Sequence, residues 1–443
     1  MRTAALHNLG CKVNSYETEA MQQLLEEAGY EIVPFHEKAD VYIINTCSVT
    51  NIADRKSRQM LHRAKKQNPD AVVVAAGCYV QAAAEELKAD LAVDVIIGNN
   101  KKQDLVPILE EYFKDKSDRS HVIEISETHE YERLSIHKIA DHTRAFLKIQ
   151  DGCNQFCSYC IIPYTRGRVR SRRPDEVVDE VRELAAAGYQ EVVLTGIHLS
   201  SYGVDFKEEE KKENLLSLIK QVHEVEGIRR IRLGSLEPRI ITEEFAQALA
   251  SMPKFCPHFH LSLQSGCDKT LKRMNRHYTT EEYAAGCEIL RRYFDNPAIT
   301  TDVIVGFPGE TEEEFEETKA FLERIGFYEM HIFKYSRRAG TRADRMPEQV
   351  PEQVKSVRSE VLLKLEKQMS KAYRESFSGK KKTVLLEEKT EIGGRAYMIG
   401  HTMEYVKAVV PYADNLKNKM TEGILKEALN DEVLLLDESW KVV

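Results

Sequence analysis

Three cysteines stand in the run Cys153-Asn-Gln-Phe-Cys157-Ser-Tyr-Cys160, a C-x3-C-x2-C spacing just past an apolar segment. Thiolates that close together suit a soft metal or an iron–sulfur cluster. A structural zinc site normally takes four ligands, and no fourth Cys or His stands nearby in sequence. Zinc with a distant fourth ligand, and three incidental loop cysteines, are the competing readings. With three protein ligands a cubane cluster keeps one iron open to an outside ligand. A second set, Cys11, Cys47 and Cys78, is spread along the chain but shares a setting. Each follows an apolar run, in Leu9-Gly10-Cys11, Asn45-Thr46-Cys47 and Ala76-Gly77-Cys78. Strand ends in a parallel sheet gather along one edge, so the three could converge. Taken singly, each could equally be a small buried apolar residue.

The elements that must position these thiols can be read from the pattern. Thr3–His7, Val41–Thr46, Ala71–Ala76 and Val93–Ile97 are short apolar runs suited to buried parallel strands. Helical patterns lie between them at Ser15–Ala28, Asn51–Gln67 and Gln81–Lys88, so residues 1–120 read as an α/β parallel-sheet domain. Residues 114–142 are polar and charged, with one short strand candidate at His121–Ile125, and read as a linker. From 143 to 375 the strand-then-helix alternation recurs six times, opening with Arg144–Ile149 and ending with Glu329–Tyr335, which predicts a partial or complete (βα)6 barrel. A long charged helix, Glu352–Phe377, closes that block. Residues 376–443 carry β-rich runs at Thr383–Leu386, Tyr405–Val410 and Glu432–Leu436 and predict a small β-barrel. The fold class is α/β.

Composition narrows the function classes. Hydrophobic residues make up 42% of the 443 and charged residues 30%, an ordinary globular mixture that excludes collagen-like, mucin-like and wholly disordered chains. The longest apolar run, Ala71–Val80, is about half of what a membrane helix needs. The first residues lack a signal peptide's apolar core, so a cytoplasmic protein without membrane association is expected. The net charge of −8 requires any nucleic-acid contact to be local. Nine scattered cysteines argue for reduced thiols rather than a disulfide framework.

The cysteine triplet after the first strand of a (βα)6 block resembles the radical S-adenosylmethionine superfamily. That resemblance implies a 4Fe-4S cluster on Cys153, Cys157 and Cys160, with S-adenosylmethionine chelating the open iron and yielding a 5′-deoxyadenosyl radical on reduction. It also implies that Tyr159 lies near the adenine and that Thr195-Gly196-Ile197-His198 approaches the methionine end. Gln264-Ser265-Gly266 and Gly306-Phe307-Pro308-Gly309-Glu310 would follow the fourth and fifth strands on the same barrel face. Tyr159, Thr195, Gly196, Gln264 and Gly306 are therefore the candidate cofactor contacts. The pattern Leu9-Gly-Cys-Lys-Val-Asn-Ser-Tyr-Glu-Thr-Glu19, with Asn45-Thr-Cys47 and Ala76-Gly-Cys78, is similar to the methylthiotransferase family over nearly the whole chain. This implies a second 4Fe-4S cluster on Cys11, Cys47 and Cys78 and a C-terminal RNA-binding TRAM module. Cys256, Cys267 and Cys287 match no ligand position and read as structural thiols.

Within that family, Gly10-Cys-Lys-Val-Asn14, the Asp151–Tyr164 string and Thr195–Gly203 most resemble the branch acting on N6-threonylcarbamoyladenosine in tRNA. The alternatives are the isopentenyladenosine tRNA branch and the branch that modifies an aspartate of a ribosomal protein. From a different class, a non-catalytic, metal-stabilised RNA-binding protein is a further alternative. The expected partners are a tRNA anticodon stem-loop and a flavodoxin-like or equivalent electron donor. Two basic stretches are candidates for the RNA or the substrate carboxylate. One is Tyr164–Arg173, with five arginines and no acid, among them Arg166, Arg168 and Arg170. The other is Gln353–Lys382, with nine Lys or Arg against three Glu, ending in Lys380, Lys381 and Lys382.

Overall fold

Short runs rich in Val, Ile and Ala pair side by side in parallel because helices cover both of their faces. The computed structural model describes residues 1–136, 143–207 and 212–443. Its first sheet holds β1 (Thr3–Asn8), β2 (Glu31–Ile32), β3 (Val41–Thr46), β4 (Val72–Gly77), β5 (Val95–Ile97) and β6 (Ser120–His121) in the order β2-β1-β3-β4-β5-β6. Around it lie α1 (Lys12–Glu27), α2 (Asn51–Gln67), α3 (Cys78–Ala82), α4 (Ala84–Lys88) and α5 (Leu105–Lys114). The helix expected at Gln81–Lys88 is two short helices broken at Ala83, whose φ of −139° and ψ of 40° leave the helical region.

The expected linker is a packed strap as far as residue 136; residues 137–142 lie outside the described residues. Ile125, Leu134 and Ile136 are buried. Tyr16 Oη donates to Leu134 O at 2.5 Å, and Tyr131 Oη donates to Lys148 O at 2.6 Å. Polar composition misleads here because the apolar anchors are only a few, widely spaced residues.

The central block carries β7 (Arg144–Asp151), α6 (Ile162–Thr165), β8 (Arg170–Ser171), α7 (Pro174–Ala186), β9 (Glu191–Gly196), α8 (Leu215–His223), β10 (Arg230–Leu233) and α9 (Glu243–Ala250). It continues with β11 (His258–His260), α10 (Asp268–Arg273), α11 (Thr280–Tyr293), β12 (Ala298–Val305), α12 (Glu312–Ile325), β13 (Glu329–Lys334) and α13 (Glu352–Glu375). Strands β7, β9 and β10 pair in parallel, as do β11, β12 and β13. The two sets join through Ile231 N to Lys254 O (2.8 Å) and Leu236 N to His260 O (2.8 Å), which makes one open barrel. Alternation sorts the side chains: Leu147, Val192, Ile231, Phe259 and Val303 face the helices. Their neighbours Lys148, Glu191, Arg232, His260 and Asp302 face the lumen.

The C-terminal strands β14 (Lys381–Ile392), β15 (Arg395–His401), β16 (Lys407–Pro411), β17 (Met420–Ala428), β18 (Leu434–Leu436) and β19 (Lys441–Val442) form a closed β-barrel, since β14 pairs with both β15 and β17. It seals the lower end of the central barrel. Arg230 donates to His401 O at 2.7 Å and Thr383 O at 2.8 Å, Arg232 donates to Met403 O at 2.9 Å, and Arg144 pairs with Glu387 at 3.1 Å. Tyr405 stacks on His258 at 4.8 Å and on His401 at 4.4 Å. No helix among the described residues is long and apolar enough to cross a membrane.

Candidate iron–sulfur and substrate site

The register of the first sheet aligns Asn8 with Asn45 and Thr46 with Gly77, so Cys11, Cys47 and Cys78 leave the sheet at one edge. Asn14 ties two of these exits together, its amide donating to Leu9 O at 2.7 Å and Thr46 O at 3.0 Å. Gly10 has φ +108°, and a Cβ there would sit 2.9 Å from Cys47 Sγ, so only glycine fits. Asn99 Nδ2 lies 3.6 Å from Cys78 Sγ and donates to Thr165 O at 2.7 Å. Burial first, and then the neighbouring Cys78, push the Cys47 thiol up to about 12. Cys11 is the open member of the trio.

Cys153, Cys157 and Cys160 line one cleft at the upper end of the barrel with Tyr159, Ile197, His198, Glu237, Ser262, Gln264 and Arg276. Burial, then the Cys157 sulfur, push Cys160 up to about 12, and burial holds Cys153 up at about 11. Arg276 Nη1 donates to Cys157 Sγ at 3.2 Å. Glu237 would be raised by burial, but hydrogen bonds from His198 and Arg239 outweigh that and hold it down at about 2.

The two trios are joined by packing. Helix α6, which follows Cys160, lies against α3, which begins with Cys78. Beneath them Glu17 accepts from Lys102 (3.0 Å), Lys148 (2.7 Å) and Arg166 (2.8 Å), while Asp151 accepts from Lys148 (2.9 Å) and Arg166 (3.1 Å). Arg170 is 3.7 Å from Asp151. All six side chains are buried. Four cations thus face three carboxylates, since the buried Glu132 accepts from the backbone of Lys102 and Gln103 beside them, and the buried Nε atoms of Arg166 and Arg170 have no acceptor. Buried charge without a partner is costly. An anionic group on the neighbouring Cys11, Cys47 and Cys78 would balance the excess. Raised thiols become ligands only where a metal supplies positive charge. Both donor sets therefore fit iron–sulfur clusters.

The structure relocates several expected contacts. Arg166 and Arg170 are fully buried, so they are not part of a surface arm that meets phosphates; their charges are taken by acids from remote parts of the chain. Arg168 is exposed and lies over the Phe156 ring at 4.6 Å, with Tyr164 edge-on to that ring at 5.8 Å. Tyr159 and Gln264 line the cysteine cleft, whereas Thr195 and Gly196 sit behind Ile197 and His198. Gly306 faces away: a Cβ there would meet Lys355 Cγ at 2.3 Å, so this glycine admits α13 rather than a ligand. Lys381 pairs with Glu422 at 2.7 Å, Lys382 is held by Glu404, and Lys380 lies 5.3 Å over Phe377. Lys355, Arg358 and Arg374 are buried, so the basic stretch of α13 is partly internal.

His198 lines the cleft as the resemblance implies, and residues to which the sequence reading gave no role complete the site: Asn14, Asn99, Glu237 and Arg276. Lys12, next to Cys11, is another. Burial, followed by Arg144 and Arg232, lowers its ammonium to about 8, with Glu191 and Asp302 opposing. These charged neighbours all face the lumen.

Comparison with known proteins follows the same division. Residues 147–322 match the Radical SAM superfamily, and residues 3–98 match Uncharacterized protein family UPF0004. The threonylcarbamoyladenosine tRNA methylthiotransferase MtaB of Bacillus subtilis (strain 168) is 43% identical over 95% of this chain and 93% of its own. The protein of the same name from Aquifex aeolicus is 42% identical over 88% and 93%. A tRNA-2-methylthio-N(6)-dimethylallyladenosine synthase of Moorella thermoacetica is 38% identical over 87% of each chain. Among solved structures, the radical S-adenosylmethionine methyltransferase TsrM of Kitasatospora setae, with cobalamin and a [4Fe-4S] cluster bound, superposes with a TM-score of 0.58. It is 18% identical over 77% of each chain, a likeness of fold.

Proposed function

Because the chain belongs to the methylthiotransferase family of radical S-adenosylmethionine enzymes, we propose that it replaces the C2 hydrogen of N6-threonylcarbamoyladenosine in a tRNA anticodon loop by a methylthio group. The observation that carries this reading is the joining of two cysteine trios through α3, α6 and Asn99. An aromatic C–H is neither acidic nor open to a nucleophile, so general-base catalysis would not serve. When bound, the two 4Fe-4S clusters and S-adenosylmethionine would supply the electron, the methyl group, the sulfur carried at the second cluster, and the radical that takes up the C2 hydrogen as 5′-deoxyadenosine.

The chain's own contribution is placement. Cys153, Cys157 and Cys160 hold one cluster and Cys11, Cys47 and Cys78 the other. Arg276 donates to Cys157 Sγ and offsets negative charge there. Asn14 fixes the backbone before Cys11 and Cys47, and Asn99 points its amide at Cys78 Sγ. His198 and Glu237, 3.4 Å apart, put an imidazole and a carboxylate at the cleft wall, where the amino and carboxylate ends of S-adenosylmethionine need hydrogen-bond partners. Arg168 with Phe156 and Tyr164 forms an exposed stacking surface suited to anticodon-loop bases. The C-terminal barrel and its lysines serve the RNA backbone, the electron comes from a flavodoxin-like or equivalent donor, and the enzyme works in the cytoplasm with tRNA.

Nucleoside analysis of total tRNA from a deletion strain tests the reading. Loss of 2-methylthio-threonylcarbamoyladenosine, with its unthiolated precursor accumulating, is expected. Persistence of the methylthio nucleoside overturns it, and loss of the isopentenyl counterpart instead transfers the chain to that substrate.

A further inference from the structure

We propose that Lys12, His260, Asp302 and His331, with Phe333 beside them, form the pocket that reads the carboxylate-bearing N6 substituent of the target adenine. This rests on the substrate reading above and deepens it.

The pocket belongs to the lumen. His260, Asp302 and His331 stand on the adjacent strands β11, β12 and β13, and register sets Asp302 directly opposite His331. Their neighbours Phe259, Leu261, Val303 and Met330 are buried against the helices, which turns these three inward. His260 Nε2 lies 3.2 Å from Asp302 Oδ2, its Nδ1 is 3.0 Å from Thr300 Oγ1, and the His260 and His331 rings stack at 5.8 Å. Two residues on from His260 stands Ser262, which lines the cysteine cleft, so the pocket lies about 7 Å below it. Lys12, the first residue of α1 and directly after Cys11, is exposed, lies within reach of the Asp302 charge, and forms no ion pair with the described residues. Phe333, 47% exposed, occupies the next inward position above His331. A large apolar ring left open to a polar lumen suits a base face.

The chemistry is selective. A threonylcarbamoyl group brings one carboxylate, one hydroxyl and one carbamoyl N–H. The first needs the Lys12 ammonium or an imidazole N–H; the other two can be met by the Asp302 carboxylate and the imidazoles. An isopentenyl group brings no polar atom and would cover Lys12 without offering it a partner, the kind of mismatch by which polar sites reject apolar analogues. The rival occupant is a divalent cation, since one ligand atom from each of His260, Asp302 and His331 lies within 4.8 Å of the others.

The test measures the affinity of the cluster-loaded enzyme for two anticodon stem-loops, one carrying N6-threonylcarbamoyladenosine and one carrying plain adenosine at that position. Wild type should prefer the modified RNA by about tenfold or more, the equivalent of at least about 1.4 kcal/mol. Lys12→Met, Asp302→Asn and His331→Ala should each collapse that ratio towards one while the visible absorption of the clusters stays unchanged. Because Lys12 adjoins Cys11, Asp302→Asn and His331→Ala decide the matter if Lys12→Met loads iron poorly. Variants that keep the wild-type ratio overturn the pocket, as does one zinc or manganese per chain that His331→Ala removes. A wild-type enzyme with no preference overturns the substrate reading itself, and the pocket with it.

Discussion

Arg166 grips Glu17 by two hydrogen bonds, Nη1 to Oε1 at 2.8 Å and Nη2 to Oε2 at 3.1 Å, across 149 residues of chain. The pair ties the first helix of the N-terminal sheet to the segment that follows Cys160. Arg166 also donates to Asn14 Oδ1 at 2.7 Å, so one guanidinium reaches both cysteine neighbourhoods. Glu17 keeps Lys102 and Lys148 when Arg166 is removed, but Asn14, Asp151 and Glu17 all lose a buried charged donor. Arg166→Met should therefore lower stability by about 3–5 kcal/mol, seen as a lower urea midpoint at unchanged slope. Adding Glu17→Gln should deepen the loss, because Lys102 and Lys148 then lose the carboxylate they share.

The two cysteine trios should separate functionally. Cys157→Ala is expected to abolish 5′-deoxyadenosine formation and to lower the iron content by one cluster's worth. Cys47→Ala, with the same iron deficit, should still cleave S-adenosylmethionine and yield no methylthio product. Equal loss of deoxyadenosine in both variants would contradict this division.

Arg276 stands 3.2 Å from Cys157 Sγ, and positive charge near a cluster's sulfurs favours the reduced state. Arg276→Met should shift the potential of that cluster to a more negative value in a redox titration followed by electron paramagnetic resonance. Arg276→Lys should restore much of the shift, a result that simple loss of packing would not produce.

Burial tends to raise the Glu191 carboxyl, yet Arg232 and Arg230 outweigh it and hold the group down at about 2. A carboxyl more acidic in the folded chain than in the unfolded one adds stability that is complete above its ordinary value of about 4.3. That stability is lost as the pH falls from there towards 2. Glu191→Gln should thus destabilise the protein at pH 7, and the gap between wild type and variant should narrow between pH 5 and pH 3 in denaturation midpoints.

Elements with dense apolar patterning were legible in advance: Val41–Thr46, Asn51–Gln67 and Glu312–Ile325 occupy the expected bounds. Strand β17 (Met420–Ala428) was not, because it mixes Glu, Lys and Gly with buried Leu425 in a barrel too small to bury a whole face. The arginines following the cysteine loop read as a surface arm because charge alone favours solvent. Their burial depends on Glu17, Asp151 and Glu180, acids whose proximity only the fold creates. The strand-end cysteines could be marked by position, whereas Arg276 carries no periodic or motif signal. Lys12 was within reach of the same logic that marks Cys11, since both leave the sheet at its edge.

The C-terminal barrel as the floor of the lumen has a consequence for biogenesis. A nascent chain that has emerged only to residue 375 holds Arg230 and Arg232 without the carbonyls of Thr383, His401 and Met403 that will receive them. Glu191 already pairs with both arginines at that stage, but the floor of the lumen is still open. The floor is closed by a segment made afterwards, and ribosome stalling in that interval would leave the lumen open to chaperones.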